Sequence, residues 1–119
     1  MKEKMLKRTK QFAIDCWLFC SKIPKSREFN AYVYQLLKSS SSVGANYRAS
    51  QRAKSSKDFL NKLKIVEEEC DESVYWLEIF EQISIENSDE AKSLKNEGNE
   101  ILSIVVASIK TLKAKNTNS

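Results

Sequence analysis

Apolar residues recur every three or four positions through most of this chain. From residue 2 to 21, Leu6, Phe12, Ala13, Cys16, Trp17, Phe19 and Cys20 form one broad apolar face, a helical period. The stretch Lys22-Ile-Pro-Lys-Ser26 closes this helix, because Pro24 disfavours helical backbone in the residue before it. Ser26 is placed to cap the next helix. In the second segment Phe29, Val33, Leu36, Ser40, Val43, Tyr47 and Ser50 follow one another in alternating steps of four and three, the rhythm of a left-handed packing seam.

The run Ser39-Ser-Ser-Ser42 before Val43-Gly44 has the composition of a loop. The stripe keeps its phase across it, however, and small residues at a seam let helices approach closely. A continuous helix is the expectation, with a kink near Gly44 allowed. A break is expected near Ala53-Lys54.

Ser55 and Asp58 have the spacing of a capping box, and Phe59, Leu63, Val66, Cys70, Ser73, Leu77 and Phe80 carry the alternating step through a third helix. A second shoulder of Leu60, Val74, Trp76, Ile79 and Ile83 widens its apolar face, so this helix should touch more than one neighbour. Asn87 and Glu90 repeat the capping spacing before a fourth helix, striped by Leu94, Gly98, Ile101, Val105, Ser108 and Leu112 and broadened by Leu102, Val106 and Ile109. The tail Lys115-Asn-Thr-Asn-Ser119 is expected to fray. The pattern predicts helices over 2–21, 27–53, 56–83 and 88–114, in a single domain spanning 1–119. Short links between helices of similar length make it an all-α, antiparallel up-down-up-down four-helix bundle, with the tightest hairpin between the second and third helices.

Composition agrees with this pattern. The chain of 119 residues is the size of one domain, and its two glycines and one proline cannot punctuate a many-stranded fold. Histidine is absent, which removes the usual acid-base side chain near neutrality and the commonest metal ligand. Cys16, Cys20 and Cys70 form an odd set without a C-x-x-C pair, and each falls among apolar helical positions. They read as buried thiols in a reducing cytoplasm. Nothing completes a metal site around Cys16 and Cys20, and no run approaches the ~20 apolar residues of a membrane span. The expectation is a cytoplasmic protein without cofactor or metal.

Charge is segregated along the chain. Residues 1–64 hold fifteen Lys or Arg against four acids, and residues 65–100 hold twelve acids against two Lys. One reading is internal: Glu68, Glu69 and Glu72 face Arg48 and Arg52, within the chain or across a subunit contact. The other is a basic surface for phosphate backbone. It would be built by Lys2, Lys4, Lys7, Arg8 and Lys10 on the first helix and by Arg48, Arg52, Lys54, Lys57, Lys62 and Lys64 around the second hairpin. Both readings stay open at the level of charge. The carboxylates of residues 67–72 could in principle serve as acid or base, but di-iron bundles need Glu-x-x-His motifs, and Ser39–Ser42 lack a histidine partner. No catalytic residue is assigned.

The elements Ser42-Val-Gly-Ala-Asn-Tyr-Arg48 with Arg52, Phe59-Leu-Asn-Lys-Leu-Lys-Ile65, Glu68-Glu-Cys-Asp-Glu-Ser-Val-Tyr-Trp-Leu-Glu78 and Ile104-Val-Val-Ala-Ser-Ile-Lys110 resemble the bacterial 23S ribosomal RNA intervening-sequence proteins over nearly the whole chain. The resemblance implies a small helical bundle that is not an enzyme and that assembles as a ring-like homopentamer. A related branch, the accessory proteins of diversity-generating retroelements, binds nucleic acid and a protein partner through a basic surface. By this likeness Asn46, Arg48, Arg52, Glu69, Glu72 and Trp76 fall on characteristic positions. Asn46, Glu69, Glu72 and Trp76 are expected to form a structural or interface network, Trp76 by packing. Lys7, Arg8, Arg48, Arg52, Lys54, Lys57 and Lys62 are expected to form the nucleic-acid-binding set. Ala49 stands where relatives often carry an acid, which leaves Arg52 available to an outside anion. The alternative is a structural or protein-interaction module that binds no nucleic acid.

Overall fold

The computed structural model describes residues 2–118, leaving aside the side chains of 116–118. Four helices account for nearly all of them: α1 (Lys2–Ser21), α2 (Arg27–Ser50), α3 (Ser56–Ile83) and α4 (Ser88–Asn118), with a 3-10 turn at Ile85–Asn87 before α4. Each helix packs on its neighbour in the chain, and α4 closes back on α1. The result is an up-down-up-down four-helix bundle 52 Å long, in which α1 and α3 run the same way on diagonal corners.

The helix starts follow from their caps. Ser26 Oγ accepts from Phe29 N at 3.0 Å, and Ser55 Oγ accepts from Asp58 N at 3.1 Å. Asp58 Oδ2 also accepts from Lys54 N, so the α3 entry satisfies one donor of the first turn and the amide of the residue before the cap. The Asn87–Glu90 box is replaced by a different arrangement. Asn87 lies in the 3-10 turn and its amide donates to Ser84 Oγ at 3.2 Å.

Two boundaries differ from the sequence pattern. Helix α2 ends at Ser50, and Gln51, Arg52 and Ala53 continue as turns whose amides reach back three residues, to Arg48, Ala49 and Ser50. The link to α3 is therefore as long as the link through Pro24, and no hairpin is tightest there. Helix α4 runs to Asn118, beyond the expected end near 114, and Ser119 of the tail lies outside the described residues.

Through the serine run α2 is unbroken. Ser41 and Ser42 point outward and donate to Lys38 O at 3.0 and 2.9 Å, while Ser39 and Ser40 are buried. Ser39 Oγ lies 2.9 Å from Ser73 Oγ on α3, and Ser73 also donates to Glu69 O, so the polar seam between α2 and α3 is internally satisfied. Phe12, Phe19, Leu36, Leu63, Leu77, Phe80 and Ile101 fill the core, with Phe19 and Phe80 edge to face at 5.5 Å.

Both glycines sit where helices cross. A Cβ on Gly44 would stand 3.2 Å from Thr9 O on α1, and one on Gly98 would stand 2.9 Å from Val74 Cγ2 on α3. Two positions assigned to the apolar stripes are corrected. Trp17 is 60% exposed on the outer side of α1, because Met5, Thr9, Phe12, Cys16 and Phe19 already turn the opposite side inward. Ser108 is exposed and Ile109 takes its place, since an α-helix drifts out of a strict seven-residue repeat.

Candidate functional site

Because α1 and α2 are antiparallel, the first half of α1 lies beside the last half of α2. This places Lys2, Lys7 and Lys10 across from Arg48 and Arg52, along a groove of about 590 Å³ whose floor includes Leu6, Ala13, Gly44 and Ala45. Leu6 and Ala13, assigned from the sequence to the core face of α1, are half-buried and line this groove. Among the described residues no carboxylate lines it. Small residues on the floor allow the two helices to close up, which draws their cations toward one another despite like-charge repulsion. That arrangement favours an anion between them.

Arg48 and Arg52 also border a second concavity of about 410 Å³ toward α3, shared with Lys54, Asp58 and Lys62. Here a carboxylate intervenes. Lys62 Nζ donates to Asp58 Oδ1 at 2.7 Å, and that bond, followed by the one from the Lys54 amide, holds the Asp58 carboxyl below its ordinary value. Lys62 is thus half occupied by an acid of its own helix. Lys54 and Lys57 are exposed at the hairpin.

Arg8 is apart from the groove. Its Nε and Nη2 each meet a Glu97 carboxylate oxygen at 2.7 Å, and Nη2 also reaches Glu100 at 2.7 Å. The bond to Glu97 raises the guanidinium pKa further above its usual range. Arg8 therefore ties α1 to α4. One helical position decides this: Lys10 borders the groove toward α2 and Lys7 stands at its outer rim, whereas Arg8 falls on the α4 side. Neither Glu97 nor Glu100 is marked by any local motif, so this partnership becomes visible only once α1 and α4 are side by side.

The expected network divides. Asn46 donates to Ser42 O at 2.9 Å, which satisfies its amide inside α2. Among the described residues no ion pair joins Arg48 or Arg52 to Glu68, Glu69 or Glu72. Burial, then the neighbouring Glu72 charge, raises the Glu69 carboxyl pKa, partly offset by Lys38. Trp76 is half-buried, packed against Tyr32 at 5.3 Å and Tyr75 at 5.1 Å, and its indole Nε1 is buried without a hydrogen-bond partner among the described residues.

Chemistry beyond charge is sparse. Cys16, Cys20 and Cys70 are buried free thiols, and burial pushes Cys20 and Cys70 up to about 12 and Cys16 higher. Among the described residues no three Cys, Asp or Glu side chains are grouped so as to hold a metal ion, and no helix is long and apolar enough to cross a membrane.

The architecture has a solved counterpart. A crystal structure of a protein of unknown function from the S23 ribosomal protein family of Bacteroides thetaiotaomicron superposes with a TM-score of 0.83 at 29% identity, covering 92% of this chain and 99% of that one. Among curated proteins none matches. Residues 1–107 match the family defined as the 23S rRNA-intervening sequence protein, which is most of the chain, including both helices of the basic groove. The chain belongs to the 23S rRNA-intervening sequence protein family.

Proposed function

We propose that this protein is a non-enzymatic, homo-oligomeric helical bundle that binds RNA or DNA backbone through its basic surface. The observation that carries the reading is the α1/α2 groove, where Lys2, Lys7, Lys10, Arg48 and Arg52 converge and, among the described residues, no carboxylate joins them. Such a site neutralises phosphate charge and releases counterions. Among the described residues its lining includes no aromatic ring and no carboxylate, and its one amide, Gln51, donates to Ser50 Oγ, so it positions a backbone and does not read base edges. Arg48 and Arg52 are the principal contacts, Lys54 and Lys57 extend the surface around the hairpin, and Arg8 and Lys62 contribute less because acids of this chain hold them. A homo-oligomer, a pentamer by family likeness, fits the apolar side chains left outside the core. A reducing cytoplasm suits three buried thiols with no disulfide.

Fluorescence anisotropy with a labelled hairpin of large-subunit ribosomal RNA, and with a DNA duplex of equal length, tests this. Affinity should fall by at least a factor of ten between about 50 and 200 mM salt. Arg48→Glu with Arg52→Glu should abolish binding while circular dichroism stays helical, and Arg8→Gln should leave binding nearly unchanged. Absent or salt-insensitive binding overturns the proposal. The second reading, a protein-interaction module without nucleic acid, is favoured by one feature: Ile14, Trp17 and Leu18 stand 43, 60 and 46% exposed together on α1.

A further inference from the structure

The outward sides of α1 and α3 carry matching rows. On α1, Lys7, Gln11, Ile14 and Leu18 follow in steps of four, three and four, and all four are exposed. On α3, Glu68, Glu72, Tyr75 and Ile79 follow in the same steps, with Tyr75 55% exposed and Ile79 half-buried. Read in the same chain direction, each row begins polar and ends apolar. Lys7 corresponds to Glu68, Gln11 to Glu72, Ile14 to Tyr75 and Leu18 to Ile79. Trp17 widens the apolar end of the first row, and Ile83, 44% exposed, prolongs the second.

Steps of three and four generate a seam that a second helix can fill by side-chain interdigitation. Within one bundle the two rows cannot meet, because α1 and α3 stand on diagonal corners and face away from each other. They do run in the same direction. A second copy set beside the first with its axis parallel therefore brings its α1 row onto the α3 row of the first, cation to acid and apolar end to apolar end. Reversing one helix would put Lys7 against Ile79 and leave both ends mismatched.

We propose that the α1 face of Lys7, Ile14, Trp17 and Leu18 docks on the α3 face of Glu68, Tyr75, Ile79 and Ile83 of a second copy of this chain, head to tail. This rests on the oligomeric part of the proposed function and names its interface. The contact uses two different surfaces, so every bound copy still presents one free face of each kind, and assembly continues until it closes on itself. Of the groove cations Lys7, at the outer rim, enters this contact, whereas Arg48 and Arg52 are on neither face and stay open to a nucleic acid.

The test is native mass measurement of the full chain by light scattering, with circular dichroism as the control for folding. Wild type is expected well above the 13.7 kDa protomer. Leu18→Glu, which spoils the α1 face, and Tyr75→Glu, which spoils the α3 face, should each run at protomer mass with wild-type helicity. Mixed in equal amounts, the two variants should form a complex of twice the protomer mass, because one intact face of each kind remains. Lys7→Glu should weaken assembly, and adding Glu68→Lys should restore it. An assembled wild type whose mass neither substitution changes overturns this interface and leaves the oligomeric reading standing. Variants that dissociate singly but do not recombine overturn the head-to-tail arrangement. A wild type at protomer mass overturns the oligomer itself, whatever the anisotropy titrations show of nucleic acid.

Discussion

The carbonyl oxygen of Thr9 lies 3.2 Å from where a Cβ on Gly44 would stand, with the carbonyl carbon at 3.3 Å. The obstacle is backbone, which cannot rotate away as a side chain can. Thr9 is itself fully buried, its hydroxyl donating to Met5 O at 2.8 Å. The close crossing of α1 and α2 at this point also sets the depth of the groove between Lys10 and Arg48.

Replacing glycine by alanine inside an unobstructed helix stabilises it by about 1 kcal/mol. Gly44→Ala should gain clearly less than that, because the added methyl presses on α1. Gly44→Val should destabilise by about 1–3 kcal/mol through overpacking. Urea unfolding midpoints at unchanged slope measure both, and a valine variant as stable as wild type would show that the helices do not approach this closely.

The pair Arg8 and Glu97 tests which basic residues serve structure. Both side chains are 31% exposed, so solvent screens much of their attraction, yet the two parallel bonds fix a geometry that a single contact would not. Arg8→Gln should cost about 1 kcal/mol, and a double-mutant cycle with Glu97→Gln should recover most of that as coupling. The same substitution should change nucleic-acid affinity far less than Arg52→Gln does.

Glu69 contributes a pH dependence of definite sign. Its carboxyl is raised above the ordinary value by burial and by Glu72, so the folded protein holds a proton at pH values where the unfolded chain has released it. Stability from this group is therefore fully present below the ordinary carboxylate pKa and is lost as pH climbs from there through the raised one. Glu69→Gln should be more stable than wild type at pH 7. The gap should close on acidification through the raised pKa toward the ordinary carboxylate value, followed by thermal melting of both proteins across that range.

The three cysteines should be inert in the native protein. Burial both raises their pKa and blocks approach, and Cys70 further donates to Gly98 O at 3.2 Å. Alkylation by iodoacetamide at pH 8 should proceed no faster than unfolding, with all three sites reacting together in urea. Rapid labelling of Cys20, which is 8% exposed, would show that the α1 end opens locally.

What could be read from the chain was whatever depends on neighbours three or four residues apart. The seams of α2 and α3, the caps at Ser26 and Ser55, and the passage of α2 through Ser39–Ser42 are local matters of phase and hydrogen bonding, and they follow from the order of residues alone. The boundary at Ser50 was not legible, because its turns satisfy their amides almost as a helix would. Trp17 was misplaced since hydrophobicity says which residues avoid water, while the side of the helix that finds partners depends on how α1 leans on α2 and α4. The same limit governs the site. Lys7, Arg8 and Lys10 look alike in the sequence, and only the approach of α4 commits Arg8 to Glu97 while the approach of α2 gathers the others beside Arg48 and Arg52. Coulomb attraction acts over a few ångströms of space, so the partners of a charge are settled by which helices become neighbours, however far apart they stand in the chain.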